Sequence, residues 1–285
     1  MAEYSEHADT RCLAFVLGGG GARGALQVGA LRALWEAGLR PDLLVGTSAG
    51  GVNATYLALH GFSKETLSSL EEASRRAAEA DLLPANYLWL TVRVLFSRMG
   101  IVNEHRFRRF FLELGVTPEL RFGQLVHRAI LVAADLHAGR PVLYGQDPAQ
   151  SVLEGLLATT ALPPWSYPLV KENGELLIDG GLVSNVPIEP ALAQGATEVI
   201  ALDLVDPRPI EPLGRRFGPF VIRVLTTVEL RQIELELELA EARGVKVRRI
   251  PLRGEKPIPV WDFTQVDALF KRGYDLAARA IASWK

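Results

Sequence analysis

The 285-residue sequence predicts an α/β fold, a mainly parallel central sheet with helices on both faces. Three observations carry that expectation. Short apolar runs alternate along the chain with longer segments of helical periodicity. The first two apolar runs each end in a glycine-containing turn that opens a helix, as strand-to-helix connections do in parallel sheets. A hydrophobic content of 48% is that of an ordinary globular core, and no run reaches the ~18 apolar residues a membrane span needs.

Residues 1–11 are polar, with Glu3, Glu6, His7 and Asp9, and read as a flexible N-terminal tail without a signal peptide. Strand 12–17 runs into Gly18-Gly19-Gly20-Gly21-Ala22-Arg23-Gly24, and a helix opens near Ala25. Along that helix, 25–37, Leu26, Ala30 and Leu34 share a face, and Gly38 stops it. Strand 43–46 and helix 49–60 follow, then a charged surface helix at 64–80. Residues 82–99 are apolar around Arg93 and fit either a buried helix or a flap over an acyl chain. Helix 103–114 carries Arg106, Arg108 and Arg109, either a solvated face or a headgroup site.

Strand 130–134 pairs with 141–144 across a turn at 137–140, and a helix covers 148–158. Asn173-Gly174 is a hairpin signal between 169–170 and 176–178, and that hairpin delivers Asp179 at its end. Helix 187–194 and strand 198–204 complete the main unit. Residues 206–219 hold four prolines and two glycines and read as a linker. A helix at 221–242, a strand at 245–250 and a helix at 262–284 form a C-terminal extension, 206–285, packed on the same domain. The lone cysteine, Cys12, excludes an intrachain disulfide.

Gly46-Thr47-Ser48-Ala49-Gly50 has the Gly-x-Ser-x-Gly pattern of a nucleophile elbow, in which a strained strand-to-helix turn lifts a serine out of the sheet. Flanking Gly46 and Gly50 remove Cβ atoms that would clash. Such a serine needs a base. The five histidines, at 7, 60, 105, 127 and 137, leave the second half of the chain without an imidazole. What stands there is Asp179-Gly180-Gly181, an acid between a strand and two glycines. The glycine loop at a helix N-terminus offers unpaired amides to a negatively charged oxygen. Its Gly19-x-Gly21-x-x-Gly24 spacing also fits a dinucleotide fingerprint. That reading wants an acid at the end of the second strand, whereas Asp42 lies at its start. No His/Cys cluster has metal-ligand spacing, and a net charge of −2 argues against nucleic-acid binding.

The ordered set Gly19-Gly20-Gly21-Ala22-Arg23-Gly24, Gly46-Thr47-Ser48-Ala49-Gly50 and Asp179-Gly180-Gly181 resembles the patatin-like phospholipase family. Ala158-Thr159-Thr160-Ala161-Leu162-Pro163 is similar to the family segment between nucleophile and acid. The resemblance implies a patatin-like three-layer sandwich with its catalytic domain at 12–205. It also implies a serine acyl hydrolase using a Ser48–Asp179 dyad, with neither cofactor nor metal. Backbone amides of Gly20, Gly21, Ala22 and Ala49 are the candidate oxyanion donors. Gly19 and Gly24 shape the turn, and Gly180 and Gly181 support the acid. Arg23, a cation at a helix N-terminus, needs an anion, either an internal carboxylate or a substrate phosphate. The expected partner is an acyl-lipid or acyl-ester substrate, met by a cytoplasmic chain in transient contact with the inner membrane surface; oligomeric state is left open. A lipid transacylase and a non-catalytic acyl-lipid binder are the alternatives. Because an aspartate ordinarily titrates near ~3.9, activity is expected to persist to lower pH than a histidine-based triad allows.

Overall fold

The computed structural model describes residues 11–79, 82–83, 104–163, 166, 168–171, 173–205 and 217–284. The flap-or-helix stretch, from residue 84 on, and most of the 206–219 linker lie outside the described residues.

Eight strands among these residues form one sheet: β1 (Leu13–Leu17), β2 (Leu43–Thr47), β3 (Arg128–Asp135), β4 (Arg140–Tyr144), β5 (Leu169–Val170), β6 (Leu176–Asp179), β7 (Glu198–Leu204) and β8 (Lys246–Leu252). The order is β5-β6-β3-β2-β1-β7-β8, with β4 also on β3. β1, β2, β3, β7 and β8 run parallel. β4 and β6 are both antiparallel to β3.

Strand alternation sorts the core into two apolar layers. Leu13, Phe15 and Leu17 of β1 face one layer with Leu44, Leu131, Ile200 and Leu202. Ala14 and Val16 face the other with Val45, Ile130, Val132 and Val199. Strands buried on both faces read as continuous apolar runs, which is why they were visible in the sequence. The first layer is covered by α1 (Gly24–Glu36), α2 (Ala49–His60), α3 (Lys64–Glu79), α4 (Glu104–Glu113) and α5 (Val152–Thr159). The second is covered by α6 (Ile188–Ala193) and α7 (Phe217–Ala242). The last helix, α8 (Val266–Ala282), lies against α1. A Cβ on Gly29 or Gly273 would run into the backbone of the opposite helix, so glycine permits the close crossing. No helix among the described residues is long and apolar enough to cross a membrane.

One register matters for everything that follows. On β3, Val132 pairs with Thr47 of β2, and the next residue, Ala133, pairs with Asp179 of β6. β4 pairs with β3 from Leu131 to Asp135, so it takes the edge opposite β2. β6, also paired with Ala133 to Asp135, therefore lies on the β2 edge, in line with β2 and running toward it. The C-terminal ends of β2 and β6 meet head to head. The residue after Thr47 is Ser48, and the last residue of β6 is Asp179.

Candidate active site

Ser48 has φ 54° and ψ −124°, the one non-glycine residue with positive φ among the described residues. A conformation of this kind costs on the order of 1–3 kcal/mol and persists only where the surroundings impose it. A Cβ on Gly46 would stand 2.5 Å from the Gly50 carbonyl oxygen, and one on Gly50 would strike the Leu17 carbonyl. The elbow is held from outside as well. The Ser48 N–H donates to Thr159 Oγ1 at 2.9 Å, and the Thr159 hydroxyl donates to the Val132 carbonyl at 2.5 Å. Thr47 Oγ1 donates to the Ser184 carbonyl at 2.9 Å.

Asp179 is 4% exposed. Its carboxyl accepts from the Gly181 N–H at 2.8 Å, and the neutral Ser48 hydroxyl lies close enough to favour its charged form. Burial outweighs both and pushes its pKa up to about 6. Burial thus lifts the carboxyl well above the ordinary ~3.9 on which the expectation of activity at lower pH than a histidine-based triad rested, and narrows that expected difference. Its backbone N–H bonds the Ala161 carbonyl at 3.1 Å. The stretch Ala158–Pro163 thus touches both residues, through Thr159 and Ala161. Gly180 packs where a Cβ would meet the Val132 carbonyl.

The glycine loop is wound into a 3-10 turn, Gly21–Arg23, before α1 begins at Gly24. Its amides divide into two groups. Gly18 donates to Leu202, Gly19 to Asn185 at 3.0 Å and Ala22 to Val260 at 2.8 Å. Ala22 therefore leaves the candidate donor set, since its N–H is spent on an internal carbonyl. No described backbone acceptor takes the N–H of Gly20 or Gly21. Ala49 is the first residue of α2, whose opening amides have no acceptor within the helix. Gly20, Gly21, Ser48 and Ala49 are partly exposed in an otherwise buried floor.

Arg23 is 8% exposed, and its Nε donates to the Gly20 carbonyl at 3.2 Å. Because the peptide is planar and trans, fixing that carbonyl aims the Gly21 N–H the opposite way. The Arg23 charge also acts on buried Asp203, which favours the internal carboxylate over a substrate phosphate as its anion. Gly24 and Gly19 are close-packed, against Ala49 and the Asn185 side chain respectively.

From Ser48 an apolar cavity runs between the helices, walled by Val52, Leu70, Leu83, Phe107, Phe110 and Phe111. α4 explains its own composition here: its phenylalanines turn into the cavity, while Arg109 is exposed and paired with Glu113 at 3.0 Å. His60 bonds the Leu114 carbonyl at the far end of α2, and no described histidine is hydrogen-bonded to Ser48. Among the described residues no group of three or more His, Cys, Asp or Glu is placed to hold a metal ion. Sequence reasoning passed over Thr159 as the Ser48 anchor, and Ser184, Asn185 and Glu236 altogether. No spacing rule marks a glutamate inside the Glu-Leu alternation of α7.

The profile of patatin-like phospholipases matches residues 15–192. The chain belongs to the patatin-like phospholipase family. It is 27% identical over 293 residues to lysophospholipase NTE1 of Mycosarcoma maydis, covering 95% of this chain and 15% of that protein. It is 32% identical over 194 residues to patatin-like phospholipase domain-containing protein 6 of Mus musculus, covering 67% of this chain and 13% of that protein. The chain thus spans less than a sixth of the length of these relatives. Among solved structures, VipD from Legionella pneumophila aligns with a TM-score of 0.47 at 16% identity, over 96% of this chain and 67% of that one.

Proposed function

We propose that this patatin-like chain is a serine acyl-ester hydrolase acting on lipid esters through an acyl-enzyme. The observation that carries the reading is that the register on β3 brings Ser48, on a strained elbow, to the buried Asp179, which has no cationic partner among the described contacts. Ser48 Oγ attacks the ester carbonyl as its proton passes to Asp179. The carbonyl oxygen becomes an oxyanion, received by the Gly20 and Gly21 amides with Ala49 opposite. Asp179 returns the proton to the departing alcohol. A water then gives its proton to Asp179 and attacks the acyl-enzyme, releasing the carboxylic acid and restoring Ser48.

Proton transfer to an aspartate at its ordinary pKa is steeply uphill. A base near 6 narrows that gap, and general bases work best near the operating pH. The oxyanion donors supply the remaining stabilisation, each worth roughly 2.7–4 kcal/mol in comparable sites. The apolar cavity supports an acyl chain as the acid portion, since burying its methylenes against Phe107, Phe110 and Phe111 is favourable by about 0.8 kcal/mol each. The test is hydrolysis of a p-nitrophenyl acyl ester and labelling by a fluorophosphonate. The wild-type chain is expected to do both and Ser48→Ala neither; unlabelled wild-type protein would return the chain to the class of acyl-lipid binders.

A further inference from the structure

Glu236 of α7 is 8% exposed, yet no lysine or arginine faces it across the described contacts. Its carboxylate is satisfied by one short chain segment. The Ser184 hydroxyl donates to Oε1 at 2.6 Å and the Glu189 N–H to Oε2 at 2.8 Å, with the Ile188 N–H beside them. A buried carboxyl bonded by two donors is costly to remove on one side alone, because those donors are then left unmade.

The residues it grips reach both halves of the active site. The Ser184 carbonyl accepts from Thr47 Oγ1, one residue before the nucleophile. The Asn185 carbonyl accepts the Gly19 N–H, and Asn185 Oδ1 lies 2.6 Å from where a Cβ on Gly19 would be. The Val186 side chain lies 3.1 Å from the corresponding point on Gly18. Residues 184–186 are therefore a wedge between the nucleophile strand and the glycine loop. Those two parts come from different strands and must agree in position for an oxyanion to meet both.

We propose that Glu236 is a positioning residue: by holding Ser184 and the turn into α6, it sets the 184–186 wedge and so the distance between Ser48 and the Gly20–Gly21 amides. Its kinetic consequence rests on the acyl-hydrolase reading; its structural consequence does not. Glu236 touches no substrate, and its effect passes through Ser184 and Asn185.

The test compares the full chain with Glu236→Leu, Glu236→Gln and Ser184→Ala. Amide hydrogen exchange over residues 18–24 and kcat per fluorophosphonate-titrated site are both measured. Glu236→Leu is expected to speed exchange at Gly19 and to lower kcat per titrated site about tenfold with KM within about twofold, as a small misplacement of reacting groups does. Glu236→Gln should restore most of both, because the amide can still accept from Glu189 and donate to Ser184. Exchange over 18–24 unchanged in Glu236→Leu, or a glutamine variant as impaired as the leucine one, overturns the proposal. Should the leucine variant not fold, Ser184→Ala reports on the same wedge through the same two measurements. If Ser48→Ala hydrolyses like wild type, the hydrolase reading falls, and the exchange arm still decides the wedge.

Discussion

The ends of β6 and β7 each bury an aspartate at the carboxyl edge of the sheet, and the two are treated oppositely. Asp203, on β7, is 6% exposed and grips Arg249 of β8 through Nε at 2.8 Å and Nη2 at 2.6 Å, with the Arg23 charge nearby. Asp179, on β6, is as deeply buried but meets a hydroxyl and an amide. For both, desolvation is the largest influence and raises the pKa; at Asp203 two guanidinium groups pull against it. A carboxylate met by cations is drawn toward its charged form, although burial still leaves the Asp203 pKa above its ordinary value. One met by neutral donors is free to take a proton, which a general base requires. The difference separates a carboxyl paired to an arginine of the neighbouring strand from one left to neutral donors.

The largest effect belongs to the nucleophile. Ser48→Ala should reduce ester turnover by roughly 10³-fold or more while leaving the melting temperature within a few degrees or raising it, since the strained elbow serves the hydroxyl. Equal turnover in the variant would leave Asp179 without a task and erase the contrast with Asp203.

Next come the two aspartates, exchanged for asparagine. Asp179→Asn should lose roughly 10²–10⁴-fold in kcat, the usual contribution of a general base. It should also stabilise the fold above pH 6. The folded pKa, about 6, lies above the ordinary ~3.9. Stability contributed by this group is thus full below the unfolded value and lost as pH rises through the folded one, about 3 kcal/mol at most by pH 8. Asparagine escapes that loss. Asp203→Asn should do the reverse, destabilising by about 1–3 kcal/mol with a smaller loss of kcat. It leaves Arg249 without the carboxylate it bonds, and Arg249 is a third exposed, which moderates the cost. Denaturant melts at pH 5 and pH 8 alongside kinetics check both halves, and two variants shifting the same way would break the comparison.

The pH profile sharpens it further. The acid limb of kcat/KM should carry an apparent pKa of about 6, with activity falling tenfold per pH unit below it as Asp179 takes a proton. A limb near 4 would mean that the carboxyl is better solvated than its 4% exposure implies.

The strands themselves and the glycine-rich site motifs were legible in the sequence for a physical reason. Doubly buried strands must be apolar runs, and a sharp turn that packs backbone on backbone, as Gly50 does on Leu17, must be glycine. The meeting of Ser48 with Asp179 was inferable only from family resemblance, because it depends on a register on β3 that no local pattern encodes. The upward push on the Asp179 pKa was out of reach of the sequence, since burial is a property of the packed molecule. Ala22 was misassigned because the Val260 carbonyl reaches its amide from the far end of the chain. Thr159 and Glu236 went unseen in their roles for a similar reason: a threonine on a buried helix and a glutamate in an amphipathic one are what any soluble α/β chain contains.

The smallest expected effect is also the one that isolates the dyad. His105 and His127 are imidazoles that lie away from Ser48. His105 is exposed on α4, and His127 precedes β3 at the amino edge of the sheet, opposite the end that carries Ser48. Each alanine variant should keep kcat/KM within about twofold, a change no larger than surface substitutions bring through stability alone. The acid limb should stay where Asp179 puts it. Were either variant to shift that limb, a proton acceptor other than Asp179 would be at work in the enzyme. The buried aspartate at the end of β6 would then stand with Asp203, as structure rather than base.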